Sequence, residues 1–193
     1  MSVRPGFLMI GIMLLAMVWL LPMETWWPGF PVHMIRHMAL VAIVAPLLVL
    51  GLPKVSALLA IAPLMAAVLE FAVVWGWHLP RLHGAARTEN AAFVAEQASF
   101  LVVGLLVWAG CLRATHPLAG AGGLLLTSMH MTLLGALLIL APRDLYYAFC
   151  GTEPNVSAQQ FGGMIMLAVG TPVYLVAGLW LTSRALSEEE ATA

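Results

Sequence analysis

Charged side chains are what this chain has least of: Asp, Glu, Lys and Arg make up 9% of its 193 residues, against about 25% in soluble domains. That scarcity excludes an ordinary soluble fold, and the 62% of hydrophobic residues identifies an integral membrane protein. Net charge is also close to zero, at −1 with no basic patch. Nucleic acid or polybasic lipid binding is therefore not expected as the main task. Cysteine is scarce as well. Cys111 and Cys150 form neither a CxxC nor a CxxxC pattern, and six spans would set them on opposite membrane faces, so no intrachain disulfide is expected. A cleavage signal is missing too: Leu21-Pro22-Met23-Glu24 after the first apolar run lacks the small-residue pattern, and that run is read as a retained helix. Finally, no nucleophile–base pair, phosphate-binding glycine loop or accessible carboxylate pair is visible. Ser99, Ser128 and Ser157 have no base near them in sequence, so no catalytic activity is expected.

What the chain does have is a series of apolar runs, most of them near the roughly 20 residues that a helix needs to cross a membrane. The expected fold is all-α, a polytopic membrane helix bundle with about six transmembrane helices at about 7–22, 33–52, 55–77, 93–112, 121–141 and 160–182. Together they form one membrane domain over 1–193, with 183–193 as a short polar tail. The break Gly51-Leu52-Pro53-Lys54 is short enough that runs two and three also read as one re-entrant hairpin.

Parity fixes sidedness whichever way the chain is inserted. The connections 51–54 and 113–120 are short, while 23–32, 78–92 and 142–159 are long and share a face. That face collects Glu24, Trp26, Trp27, His33, His37, His78, His83, Glu96, Gln97, Arg143, Asp144, Gln159 and Gln160. His116 falls on the other side. Positive charges divide evenly, Arg4, Lys54, Arg113 and Arg184 against Arg36, Arg81, Arg87 and Arg143, so the positive-inside rule is tied. Arg4 before the first helix, with Glu24, Glu89, Asp144 and Glu153 opposite, places both termini in the cytoplasm and the histidine-bearing loops outside.

On that face, His33-Met34-Ile35-Arg36-His37-Met38 opens the second run. Residues four apart on a helix share a side, so the two imidazoles stand one turn, about 6 Å, apart in metal-ligand spacing. Pro31 is a natural first helical residue, and the positive dipole end of a helix disfavours imidazolium. Neutral imidazole is the form that binds metal.

Ionisable groups at membrane depth are costly enough to be functional candidates by default. Glu70 lies eight residues before His78, about 12 Å along one helix face, where it serves as a proton relay, as an acceptor holding an imidazole, or as a protonated acid bonded to a neighbouring helix. His130 sits mid-helix between Met129 and Met131, and imidazole with thioether suits Cu(I). Met9, Met13 and Met17 form a stripe on the first helix and Met164 and Met166 mark the last, either as packing or as further thioethers. Glu96, Gln97, Gln159 and Gln160 are candidate acceptors or relays for the imidazoles. Trp26, Trp27, Trp75, Trp77, Tyr146 and Tyr147 fit an interfacial belt. Gly104, Gly135, Gly162-Gly163 and Gly170 permit close helix approach. Pro46, Pro63 and Pro172 kink helices and free carbonyls that then need partners.

These motifs occur in one order: His33-Met34-Ile35-Arg36-His37, Ala45-Pro46-Leu47-Leu48-Val49-Leu50-Gly51 with Pro53, Trp77-His78-Leu79-Pro80, and Glu96-Gln97-Ala98-Ser99-Phe100-Leu101. His130 through Leu140 with Ala141-Pro142-Arg143, and Gln159-Gln160-Phe161-Gly162-Gly163-Met164-Ile165-Met166, complete the series. In this the chain resembles the CtaG family of membrane cytochrome c oxidase assembly factors, linked to caa-type oxidases, from about His33 to Leu181. The resemblance implies a bacterial plasma-membrane bundle of six or seven helices that supports maturation of the oxidase's copper centres, with oxidase subunits or copper chaperones as partners. It carries His33, His37, His78 and His130 over as metal-binding positions. Phe93 and Gln97 stand where a His-x-x-x-His pair would open the fourth helix, and Ala158 where an acid would precede the paired glutamines.

A copper-handling factor is thus the leading expectation, with His33, His37 and His78 near the outer face and His130 with Met129 or Met131 as a deeper or transfer site. Three alternatives remain open at the level of sequence. A b-type haem protein would use facing histidines as axial ligands. A metal or proton transporter would use Glu70 and His130, although no internal repeat of the two halves is visible. A scaffold subunit of the oxidase would bind nothing.

Overall fold

In the computed structural model, which describes residues 2–27, 29–150 and 152–190, the chain is a bundle of helices with no strand among the described residues. Helix α1 (Pro5–Leu20) is followed by a 3-10 turn at Met23–Thr25. Next comes an unbroken 22-residue helical rod, Phe30–Gly51, made of α2 (Phe30–Met38), a π-helical stretch (Ala39–Val44) and α3 (Ala45–Gly51). Short α4 (Pro53–Leu59) leads into α5 (Pro63–Trp77), and a short α6 (Pro80–Thr88) precedes α7 (Asn90–Leu112). Helix α8 (Pro117–Leu140), a single turn α9 (Tyr147–Cys150) and the 35-residue α10 (Val156–Glu190) complete the chain.

Among the described residues, four helices are long and apolar enough to cross a membrane: the rod Phe30–Gly51, α7, α8 and α10. A fifth is added if α4 and α5 count as one span, although they are bent by 83°. Thus the third apolar run is not the single straight helix expected over 55–77. The cause is Pro63, which disfavours a helical residue before it, and Ala62 is accordingly extended at ψ 131°. With 16 residues, α1 is shorter than a full span; at about 1.5 Å per residue it reaches about 24 Å. Six apolar segments are present where six helices were expected, but only four or five meet the length of a span. The expected loop at 78–92 contains α6, and the polar tail continues α10 as helix to Glu190.

The π-helical stretch has a local cause. Ala45 N–H bonds the carbonyl of Leu40, five residues back, and the next residue in that pattern, Pro46, has no N–H to give to Val41. The Val41 carbonyl is instead bonded by Trp108 Nε1 at 2.8 Å and Tyr174 OH at 3.0 Å. A proline in the rod thus ties α7 and α10 to its centre.

Close approach does the rest. At Gly163 of α10 a Cβ would lie 2.7 Å from the Gly135 carbonyl of α8, so these two helices pack backbone to backbone. Gly29 has φ 86°, the one positive φ among the described residues, and its lack of a Cβ permits the turn that launches the rod.

Candidate metal centre

Four elements deliver imidazoles and a carboxylate to one end of the bundle. Gly29 and Pro31 start the rod, setting His33 in its first turn and His37 one turn deeper. Helix α5 stops at Trp77, His78 caps it, and Leu79, extended before Pro80, turns the chain into α6, which carries His83 back over the end. The second turn of α7 supplies Glu96 and Gln97. All six side chains are buried, with His37 and Glu96 wholly so.

Their spacing is that of a cluster. The His33 and His83 rings are 4.6 Å apart and nearly perpendicular, His33 and His78 are 6.1 Å apart, and His37 and His78 are 5.4 Å apart. His33 Nδ1 lies 3.5 Å from Glu96 Oε2. One ligand atom each of His33, His83 and Glu96 fall within 4.8 Å of one another. Aromatic rings wall the cluster: Phe100 stacks on His37 at 4.0 Å, and Tyr146 lies 4.5 Å from His83 and 4.9 Å from Phe30. Tyr146 OH donates to the His78 carbonyl at 3.1 Å. Tyr146 therefore belongs to this wall and not to the expected interfacial belt, which Trp26, Trp27 and Tyr147 fit by exposure.

The hydrogen-bond inventory separates this region from a packed polar core. His78 Nδ1 donates to the Val74 carbonyl at 2.6 Å. That bond fixes the tautomer and leaves the lone pair of Nε2 free, as ligating histidines require. His78 Nε2, His33 Nε2, both nitrogens of His37, His83 Nδ1, Glu96 Oε1 and Gln97 Oε1 are buried without a partner. Each such atom costs about 1–3 kcal/mol. Burial holds His83 as neutral imidazole, its pKa pushed down to about 3 with help from His78 and Arg87, and burial likewise lowers His78 to about 4. Neutral nitrogens with vacant lone pairs beside one carboxylate fit a metal ion of intermediate softness such as copper or zinc, and do not fit the all-oxygen preference of calcium or magnesium.

A second polar group lies deeper. The Tyr174 hydroxyl, whose one proton is shared with the Val41 carbonyl, lies 2.7 Å from Glu70 Oε1, and Glu70 Oε2 is 3.9 Å from His130 Nε2. Met131 is fully buried, whereas Met129 is 69% exposed on the outer surface of α8. The deep site expected from His130 with either methionine therefore retains Met131 alone as a neighbour. The stripe Met9, Met13 and Met17 also faces outward.

Other expected residues are placed as follows. Gln159 is buried and satisfied, with Oε1 accepting from Leu145 N at 2.8 Å and Nε2 donating to the Leu138 carbonyl at 3.0 Å. Gln160 Nε2 donates to the Ile139 carbonyl. Both glutamines tie α10 to the end of α8 and its following loop, and neither reaches the imidazoles by a hydrogen bond. Gln97 Nε2 bonds Glu96 Oε2 at 3.1 Å, orienting that carboxylate. Phe93 packs edge-on to Trp19 and under the Arg36 guanidinium, outside the cluster. His116 is exposed at the opposite end, and Cys111 and Cys150 are free thiols. His83 is the member of this cluster that sequence spacing left out of the candidate ligands. Its signal was the Leu79-Pro80 turn, which starts a short helix and points the chain back.

A family model described as cytochrome c oxidase caa3 assembly factor (Caa3_CtaG) matches residues 3–188. No curated protein and no solved structure matches the chain.

Proposed function

The chain belongs to the cytochrome c oxidase caa3 assembly factor family, and from that membership we propose that it is a copper-holding membrane factor for maturation of the oxidase's copper centres. The observation that carries this reading is the convergence of His33, His37, His78 and His83 with Glu96, buried and with ring nitrogens unpartnered. His33, His83 and Glu96 hold the ion, and Gln97 fixes the carboxylate. His78, with its Nδ1 proton committed to Val74, presents Nε2, and His37 lies one turn below as the next ligand inward. Phe30, Phe100 and Tyr146 exclude water, which strengthens the charge–ligand interactions inside. Glu96 supplies the negative charge that lets a cation sit in a desolvated pocket.

A cavity of about 350 Å³ opens beside His83, lined among others by Phe30, Tyr146, Cys150 and Gln159. We assign it as the mouth through which oxidase subunits or copper chaperones exchange copper. In the same proposal the histidine end faces outward from the bacterial plasma membrane, with both termini in the cytoplasm, and the factor is not an enzyme. The test is metal content after Cu(I) loading of the purified full chain, with an absorption spectrum. Copper bound by the native chain and lost from His33→Ala/His83→Ala supports the proposal. A metal-free native chain, or a Soret band with no copper, overturns it.

A further inference from the structure

Glu70, His130 and Tyr174 lie at the centre of the bundle, two helical turns below the metal centre. On α5, Glu70 is eight residues from His78, which is about 12 Å along the axis. It is fully buried, and one carboxylate oxygen lies 2.7 Å from the Tyr174 hydroxyl, whose single proton is shared between that oxygen and the Val41 carbonyl at 3.0 Å. The other oxygen, Oε2, makes no hydrogen bond of normal geometry although the buried Thr127 hydroxyl neighbours the carboxyl, and Nδ1 and Nε2 of His130, which is 94% buried, have no partner. Their 3.9 Å separation is too long for a hydrogen bond. It matches two metal–ligand bonds of about 2 Å on opposite sides of one ion.

We infer that Glu70 and His130 form a second, inner copper station, and that the outer and inner stations are each matched in charge to monovalent copper. This deepens the function proposed above and rests on it. The outer station has one carboxylate, Glu96, among neutral imidazoles; the inner has one carboxylate, Glu70, facing one imidazole. One negative charge per station neutralises a single positive charge, and in a low-dielectric interior a net divalent charge would be costly. Two ligands facing each other also suit Cu(I), which accepts low coordination numbers, and buried methionines adjoin two of the histidines in the chain. Met131 adjoins His130, and Met38 adjoins His37. The Met38 Sδ and the Met131 side chain meet over the bare face of Gly170, at 3.2 and 3.7 Å from where its Cβ would stand. His37 lies one turn inward of His33 on the rod, 5.4 Å from His78. The series His83, His33, His78, His37, His130 thus steps inward through unpartnered nitrogens.

The experiment counts copper per chain in the detergent-solubilised full chain, loaded with Cu(I) under ascorbate against a chromophoric Cu(I) chelator. The native chain is expected to hold two ions. Glu70→Gln, which keeps an acceptor for Tyr174, and His33→Ala/His83→Ala are each expected to hold one, and the combined variant none. X-ray absorption of the single ion left in His33→Ala/His83→Ala is expected to show low coordination with one imidazole. A native chain holding one ion that Glu70→Gln retains at unchanged affinity overturns the inner station and leaves the proposed function standing. A native chain holding none overturns the proposed function itself. Tighter binding of Cu(II) than of Cu(I), or several imidazoles in the residual absorption spectrum, overturns the charge-matched inner station.

Discussion

At the end of the bundle opposite the histidines, Arg113 donates to Ser56 Oγ and the Pro53 carbonyl, which fixes α4 against the end of α7. Arg184 bonds Glu188 and lies over the Trp180 ring, and the Arg4 backbone N–H bonds the Gly51 carbonyl at 3.0 Å. At the histidine end the residues are more deeply buried, yet ring nitrogens and carboxylate oxygens face one another without bonds. Burial alone does not distinguish a structural polar group from a functional one. What distinguishes them is whether the cost of desolvation is offset within the folded chain. Where it is, the group holds helices together; where it is not, the fold carries a deficit of about 1–3 kcal/mol per atom that a bound ligand would remove.

This contrast is open to a direct break. Replacing His33 with Leu keeps most of the volume and removes one nitrogen that has no partner and one whose polar neighbour is Glu96 Oε2 at 3.5 Å. Copper affinity is expected to fall about 100-fold, which is roughly 2.7 kcal/mol, while the metal-free protein keeps its stability within about 1 kcal/mol or gains slightly. Competition titration and chemical denaturation of the apo protein measure the two quantities. A large loss of apo stability would place His33 with the structural groups and remove the distinction.

The complementary substitution is Arg113→Met. It deletes two hydrogen bonds from a charged donor and strands the Pro53 carbonyl, so stability is expected to drop by about 2 kcal/mol. Copper content should not change. A change in copper binding with intact stability would mean that the two ends are coupled through α7.

The six apolar segments were legible in the sequence because long apolar runs mark helices directly, and which residues share an end of the bundle followed from loop length. That the histidines at 33, 37 and 78 share an end was readable for the same reason. Three things were hidden. The 83° break before α5 depends on how Pro63 is accommodated, and a proline in an apolar run also fits a mild kink. His83 sits in a segment whose composition reads as loop, and its approach to His33 is set by the turn at Leu79-Pro80. The partner of Glu70 is Tyr174, 104 residues away, and no local pattern announces a pairing made across α5 and α10. Met129 illustrates the converse: its adjacency to His130 in sequence suggested a shared site, but neighbours on a helix point about 100° apart, and only Met131 turns inward.

The smallest effect expected lies at the rim of the histidine end, where Glu24 reaches Arg36 of α2 with both carboxylate oxygens, one of them at 3.0 Å. Arg36 also donates to the Val18 carbonyl, so this pair joins the loop after α1 to the rod. The hydrogen bond from Arg36 holds the Glu24 carboxyl below its ordinary value of 4.5, against an opposing effect of partial burial. A lowered carboxylate contributes stability that is present above its ordinary value and is lost as pH falls through the lowered one. Glu24 is 44% exposed, so screening limits the contribution to under about 1 kcal/mol. Acidification below about pH 4.5 should therefore loosen the 21–27 loop, read as faster proteolysis or hydrogen exchange there, and Glu24→Gln should abolish this pH dependence. The site beneath should keep its fold through this change, because His33 and His37 are held by the rod and by Phe100 rather than by the loop. If instead the Glu24→Gln change lowers copper affinity by tenfold or more, the rim is part of the binding apparatus, and the line between groups that fold the chain and groups that hold metal must be redrawn to include it.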